Sequence, residues 1–172
     1  MTDASHAPYP SAMSDFVPAK PSRCFEDLAV GEFRRSAPRT VTEAEIIDFA
    51  RQWDPQWFHT DPELARGSLF GGVVASGIHV LALWRQMDHE INSDIDYVCG
   101  VGWDEVRLKR AIRPGDVIHV TSRIVELRPS KSSPDRGTAL TRYAVVTEDG
   151  TEAMSFTSIN LVYTRAGRER QG

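Results

Sequence analysis

From Ile78 to Trp84 every residue except His79 is apolar, and polar side chains return only after Trp84 in the stretch "GIHVLALWRQMDHEI". Ser76 is placed to cap a helix start here, and Gly71 and Gly72 free the backbone just before it. A helix that is apolar nearly all round must be buried on most sides. It therefore needs a partner that covers more than one face, and a sheet curved around it meets that need.

The rest of the chain supplies such a sheet. From Tyr97 onward the pattern is strand-like. "VGWDEVRLKRAI" alternates in part, with Val106 and Leu108 set against Arg107 and Lys109, and "RPGD" at 113–116 is a turn signal. "VIHVTSRIVEL" at 117–127 is rich in β-branched residues, which favour strands. "RPSKSSPDRG" at 128–137 reads as a long loop. "TALTRYAVVTE" and "TEAMSFTSINLVYT" flank Asp149-Gly150, the strongest short hairpin signal. With a strand near Glu32 to Arg39 this gives about five strands joined mostly by hairpins, so the expected class is α+β with a largely antiparallel sheet.

A first helix begins at Thr42. Thr42 and Glu45 have the spacing of a capping box, and Val41 and Ile46 that of the hydrophobic staple. Ile46, Phe49, Ala50 and Trp53 follow a helical stripe. Pro55 lacks an N–H and disfavours helix in Asp54, so Asp54 is expected just past the helix end, at the mouth of a turn.

Bulk properties bound the function. The 172 residues carry a net charge of −4, which gives no case for nucleic acid, and no polybasic run suggests an anionic membrane surface. The longest apolar stretch, Val73 to Trp84, is short of the ~20 residues a bilayer needs and is broken by Ser76 and His79. The N-terminus lacks the order of a signal peptide, so a cytoplasmic protein is expected. Cys24 and Cys99 fit no metal spacing and read as two reduced, buried thiols. Residues 1–21, rich in Pro, Ser and Ala, read as a flexible arm, 22–165 as a single domain, and 166–172 as a frayed polar tail.

Chemistry concentrates in 54–79. Asp54 and His59 are separated by a turn stiffened at Pro55, which can fold both side chains toward one point. A carboxylate and an imidazole meeting over one water form an acid/base pair. A surface hydrogen bond is the plainer reading of such a pair. "FGGVVASG" then leads into the apolar helix, whose free amides stabilise an anion. The Gly77 amide sits at that start, and without a side chain it permits close approach. The glycines can equally serve close packing of helix on sheet. An acid/base pair beside an anion-binding helix start is what addition of water to a conjugated thioester requires.

Asp54, His59, Asp61 and then Phe70-Gly71-Gly72-Val73-Val74-Ala75-Ser76-Gly77 resemble the core pattern of the MaoC-like dehydratases, the (R)-specific enoyl-CoA hydratase family with the hot dog fold. That pattern is Asp-x-Asn-Pro-x-His, then Asp, then a Phe-Gly-Gly-x-x-Ala-His-Gly-like segment. The resemblance extends from about Phe25 to Thr164. It implies a sheet wrapped around a long buried helix, Asp54 and His59 as the catalytic dyad, and the Gly77 amide as the oxyanion donor. One water would add to C3 of a trans-2-enoyl-CoA, with His59 taking the water proton and Asp54 supplying a proton to C2. The family's Asn-Pro is Gln56-Trp57 here, which bears on substrate shape, and its His before the last Gly is Ser76, which leaves the backbone amide untouched. The resemblance further implies a homodimer or higher homo-oligomer and an acyl-CoA substrate. No cofactor is expected, coenzyme A being part of the substrate, and no metal.

Trp57, Phe58 and Gly72 are candidate substrate contacts by their place in the motif. Ser76 is an N-cap or a substrate contact. His79, one turn on, is a core histidine or a substrate contact. Asp61 reads as the cap of a short helix with Pro62 at its first position. Arg107, Lys109, Arg110 and Arg113 form a basic cluster that is either a solvated face or, through Arg107 and Arg110, a phosphate site for CoA. His6, His89 and His119 carry no pattern. Trp53, Trp84 and Trp103 are expected in core or interface. The rival functions are a hot dog thioesterase, against which the Asp54/His59 spacing argues, and a non-catalytic acyl-CoA-binding subunit, against which retention of both dyad residues argues.

Overall fold

The computed structural model describes residues 20–170; the 1–21 segment, except its last two residues, and His6 lie outside the described residues. Six strands form one antiparallel sheet. In chain order they are β1 (Phe33–Arg35), β2 (Arg39–Thr40), β3 (Tyr97–Leu108), β4 (Val117–Pro129), β5 (Arg136–Thr147) and β6 (Glu152–Tyr163). Their order across the sheet is β1-β4-β5-β6-β3, with β2 beside β1 against β4. The single strand expected near Glu32 to Arg39 is thus two short ones. Ser36 breaks between them, donating its N–H to Val120 O and accepting from Val120 N through its hydroxyl, each at 2.9 Å. The register shifts in β3, β4 and along β5–β6, and such bulges bend strands and raise their twist. Glu105, in one β3 bulge, takes φ 55°.

Helix α4 (Gly77–Asn92) packs against the sheet, which makes this the hot dog arrangement of an α+β domain. Val80, Leu83, Trp84 and Met87 pack against Val120, Tyr143, Val145 and Phe156 in one core. Trp84 anchors it, its ring edge-on at 4.6 Å to Phe156 and 5.0 Å to Tyr143. The apolar run is less enclosed than the sequence suggests: Ile78 is 46% exposed in the single chain, and Ala82 is also exposed. One helix on one sheet leaves an outer face bare.

The other helices place the motif. α1 (Glu43–Trp53) begins with Thr42 Oγ1 accepting from Glu45 N at 3.2 Å and stops one residue before Asp54. Val41 and Ile46 are both fully buried. The capping box is only half made: Glu45 turns instead to Arg39 Nη2 at 3.3 Å, because β2 brings a guanidinium within reach. Trp53, placed in the apolar stripe by sequence, is 64% exposed where the helix runs past the core. α2 (Trp57–Thr60) and α3 (Pro62–Ala65) follow.

Two further expectations are corrected. Cys99 is exposed on edge strand β3, while Cys24 is buried, and both are free thiols. The tail expected to fray forms α5 (Arg165–Glu169), because Thr164 caps Gly167 N at 3.0 Å and Arg168 Nε reaches Asp96 at 2.6 Å. No helix among the described residues is long and apolar enough to cross a membrane.

Candidate active site

Pro55 ends α1 and the chain turns at once, Gln56 N donating to Asp54 O at 2.8 Å. One turn of α2 then returns His59 toward Asp54. Asp54 Oδ2 and His59 Nε2 stand 3.8 Å apart, with the imidazole almost wholly buried and the carboxylate partly open. That gap is too long for a direct hydrogen bond and short enough for one water to touch both. The other ring nitrogen fixes the tautomer. His59 Nδ1 lies 2.6 Å from Val74 O, and a carbonyl can only accept, so Nδ1 carries the hydrogen. Nε2 is then the ring nitrogen turned to Asp54. Phe58 meets the His59 ring at 4.4 Å and the Phe70 ring at 5.5 Å, joining the turn to the glycine segment. Trp57 leans edge-on against Phe58 and is 46% exposed. Asp61 caps α3, accepting from Glu63 N at 2.9 Å and Leu64 N at 3.0 Å, with Pro62 at the first position.

The start of α4 follows closely on Val74, the carbonyl partner of His59. Ala75 N donates to Ile112 O at 2.8 Å, and the fully buried Ser76 accepts from His79 N at 3.2 Å. Ser76 therefore acts as the N-cap. Gly77 is the first helical residue, and its N–H has no intrahelical acceptor. A Cβ on Gly77 would stand 2.5 Å from Leu108 Cδ1. Close packing against the end of β3 and an amide without an intrahelical acceptor thus coexist at this position. Gly71 takes φ +69°, while a Cβ on Gly72 would meet nothing within 4 Å.

His79 is 3% exposed and stacks on Phe49, centroids 4.4 Å apart and rings 12° from parallel. Burial lowers its pKa to about 4, and the nearby charges of Arg39 and His59 act in the same direction. Its Nδ1 has no hydrogen-bond partner among the described residues.

The basic cluster is largely spoken for. Lys109 pairs with Glu152, and Arg110 with Asp116 at 3.2 Å and Asp149 at 3.7 Å. Arg110 thus pins the β5–β6 turn and is a poor phosphate fork. Arg107 is exposed and, among the described residues, its side chain bonds its neighbour's carbonyl, Val106 O, at 3.0 Å. No cluster of three or more His, Cys, Asp or Glu among the described residues could hold a metal ion.

Two contributors escape sequence reasoning. Val74 acts through its carbonyl, which every residue owns, and Leu108 meets Gly77 only because β3 ends over α4. No local signal marks either.

Residues 26–149 match the family described as MaoC like domain. The chain superposes on the crystal structure of a MaoC-like dehydratase from Rhodospirillum rubrum with a TM-score of 0.76 at 36% identity, over 84% of this chain and 99% of that one. The 3-hydroxyacyl-thioester dehydratase Z of Mycobacterium tuberculosis is 32% identical over 89 residues, which are 50% of this chain and span 59% of that protein's length. The (R)-hydratase from A. caviae, described as involved in PHA biosynthesis, shares the fold at 20% identity with a TM-score of 0.64, over 78% of this chain and 96% of that one.

Proposed function

The chain belongs to the MaoC-like domain family, and from that premise we propose that it is an (R)-specific hydratase or dehydratase acting at the 2,3 double bond of an enoyl-CoA. The observation that carries the reading is the 3.8 Å gap between Asp54 Oδ2 and His59 Nε2, with His59 Nδ1 already committed to Val74 O. A water in that gap donates to the Nε2 lone pair. As its oxygen bonds to C3, its proton passes to Nε2, and Asp54 delivers a proton to C2. The Gly77 N–H, at the positive end of a 16-residue helix, takes the charge that develops on the thioester oxygen. The proton left on His59 returns to Asp54 and the cycle closes. Dehydration is the same path reversed.

Trp57, Phe58 and Gly72 line the approach to the dyad in this reading. Arg107 is the better placed of the two arginines to meet a CoA phosphate, since Arg110 is held by carboxylates. The substrate supplies coenzyme A, and the chemistry asks for no other cofactor. Exposed Val101, Trp103 and Leu108 on β3 favour a homodimer in which a second copy covers that edge.

The test is loss of enoyl thioester absorbance with short, medium and branched trans-2-enoyl-CoAs, run beside Asp54→Asn. Loss with the native protein, absent in the variant, is expected. Release of free thiol instead would make the protein a thioesterase, and silence in both channels would leave it a binding subunit.

A further inference from the structure

The seam between α1 and α4 is unexpectedly polar. His79 and Gln86 lie seven residues apart, two turns along one face of α4. Glu45 and Phe49 lie one turn apart on the facing side of α1, and Phe49 is the ring on which His79 stacks. Arg39 enters from β2 and donates to both Gln86 and Glu45. Glu45 and His79 are 8% and 3% exposed. Each nevertheless keeps one buried polar atom without a hydrogen-bond partner among the described residues, Glu45 Oε1 and His79 Nδ1. Leaving a buried polar atom unpaired is costly, so a protein that keeps two in one seam beside its dyad is fitted for a group that satisfies them.

We infer that this seam receives the acyl part of the substrate, and that the acyl part carries a hydroxyl group beyond C3. The inference rests on the hydratase reading above. Charge balance selects the class. Arg39 and Glu45 already neutralise each other, and His79 is kept neutral by its burial, so neither a carboxylate nor an ammonium finds an uncompensated partner there. A hydroxyl can both donate to and accept from the two open atoms. A plain alkyl chain would leave both unpaired, and sites built to hydrogen-bond a substrate reject analogues lacking that group.

The experiment compares trans-2-hexenoyl-CoA with 5-hydroxy-trans-2-hexenoyl-CoA on the native protein, His79→Leu and Glu45→Gln. The native protein should favour the hydroxylated substrate in kcat/KM by about tenfold or more, the worth of one hydrogen bond that is otherwise left open. His79→Leu should lose that preference while hexenoyl-CoA turnover holds or rises. Glu45→Gln, which keeps the side chain's shape, should retain the preference in reduced form. Equal rates on both substrates in the native protein, or an equal loss on both in His79→Leu, would overturn the inference. Calorimetric titration with hexanoyl-CoA and 5-hydroxyhexanoyl-CoA covers the case in which neither enoyl compound turns over. That silence counts against the hydratase reading alone, while equal affinity for the two saturated thioesters sinks the polar seam.

Discussion

At its C-terminal end α4 buries Asp88 and Asn92, and both are satisfied by neighbours. Asp88 accepts from Arg85 at 2.9 Å and from Asn92 at 2.7 Å, while Asn92 also reaches Ser122 at 3.2 Å and Tyr143 at 3.4 Å. At its N-terminal end the same helix buries His79 with a nitrogen unpaired among the described residues, opens with an amide that has no intrahelical acceptor, and follows the loop that holds His59, whose dyad partner Asp54 stands too far off to bond. One end closes on itself and the other leaves valences unfilled among the described residues. The physics is the same at both ends, since a buried polar group must find a partner. What differs is where the partner comes from, and that separates a structural network from a site.

The sharpest way to break the comparison is His59→Ala. It should cut turnover by about 10²–10⁴-fold, the range for a positioned general base, with melting temperature and mass in solution nearly unchanged. Aggregation of the variant would show that this end, too, is structural.

Asp88→Ala probes the closed end. It strips Asn92 of its 2.7 Å partner and should cost about 2–3 kcal/mol of stability, a drop of roughly 5–10 °C in melting temperature for a domain of this size. Activity per folded molecule should hold. A large loss of kcat with stability intact would erase the distinction between the ends.

pH reads the open end. His79 has its pKa lowered to about 4 in the folded state by burial, against 6.5 for the ordinary side chain. Between those values the unfolded chain binds a proton that the native state refuses, so stability falls as pH drops from 6.5 to about 4 and then levels. The loss attributable to this group reaches up to about 3 kcal/mol. Urea midpoints across that window should slope less in His79→Leu than in the native protein. Parallel slopes would mean that His79 is not held neutral.

The smallest effect is expected at Ser76→Ala. Loss of the N-cap bond to His79 N should cost about 1 kcal/mol in a denaturant melt, with kcat/KM unchanged. A tenfold loss of kcat/KM would make Ser76 a substrate contact as well as a cap.

The local features of this chain were legible in its residues. Thr42 starts α1, Pro55 stops it and leaves Asp54 at a turn, Asp61 and Pro62 open α3, and Ser76 caps α4. The turn at Asp149-Gly150 joins β5 to β6, with Asp149 accepting from Thr147 and Thr151. All of these signals act within about four residues of the chain, so sequence order is also spatial order. The spacing of Asp54 and His59 belongs with them, because a tight turn converts it directly into proximity.

What crossed between elements was decided by the fold. Glu45 gave up half its capping box because Arg39 arrived from β2, and Arg110 lost its availability to Asp116 and Asp149 across the sheet edge. Trp53 fell outside the core because α1 runs past it, and the polar tail became a helix because Asp96 lay within reach of Arg168. His59 owes its tautomer to a carbonyl fifteen residues away. The sequence by itself determined which acid, imidazole and amide are present and brought the first two together through local turn geometry. Their protonation, orientation and spare valences depend on partners set by strand register and helix packing, which no short window of sequence contains.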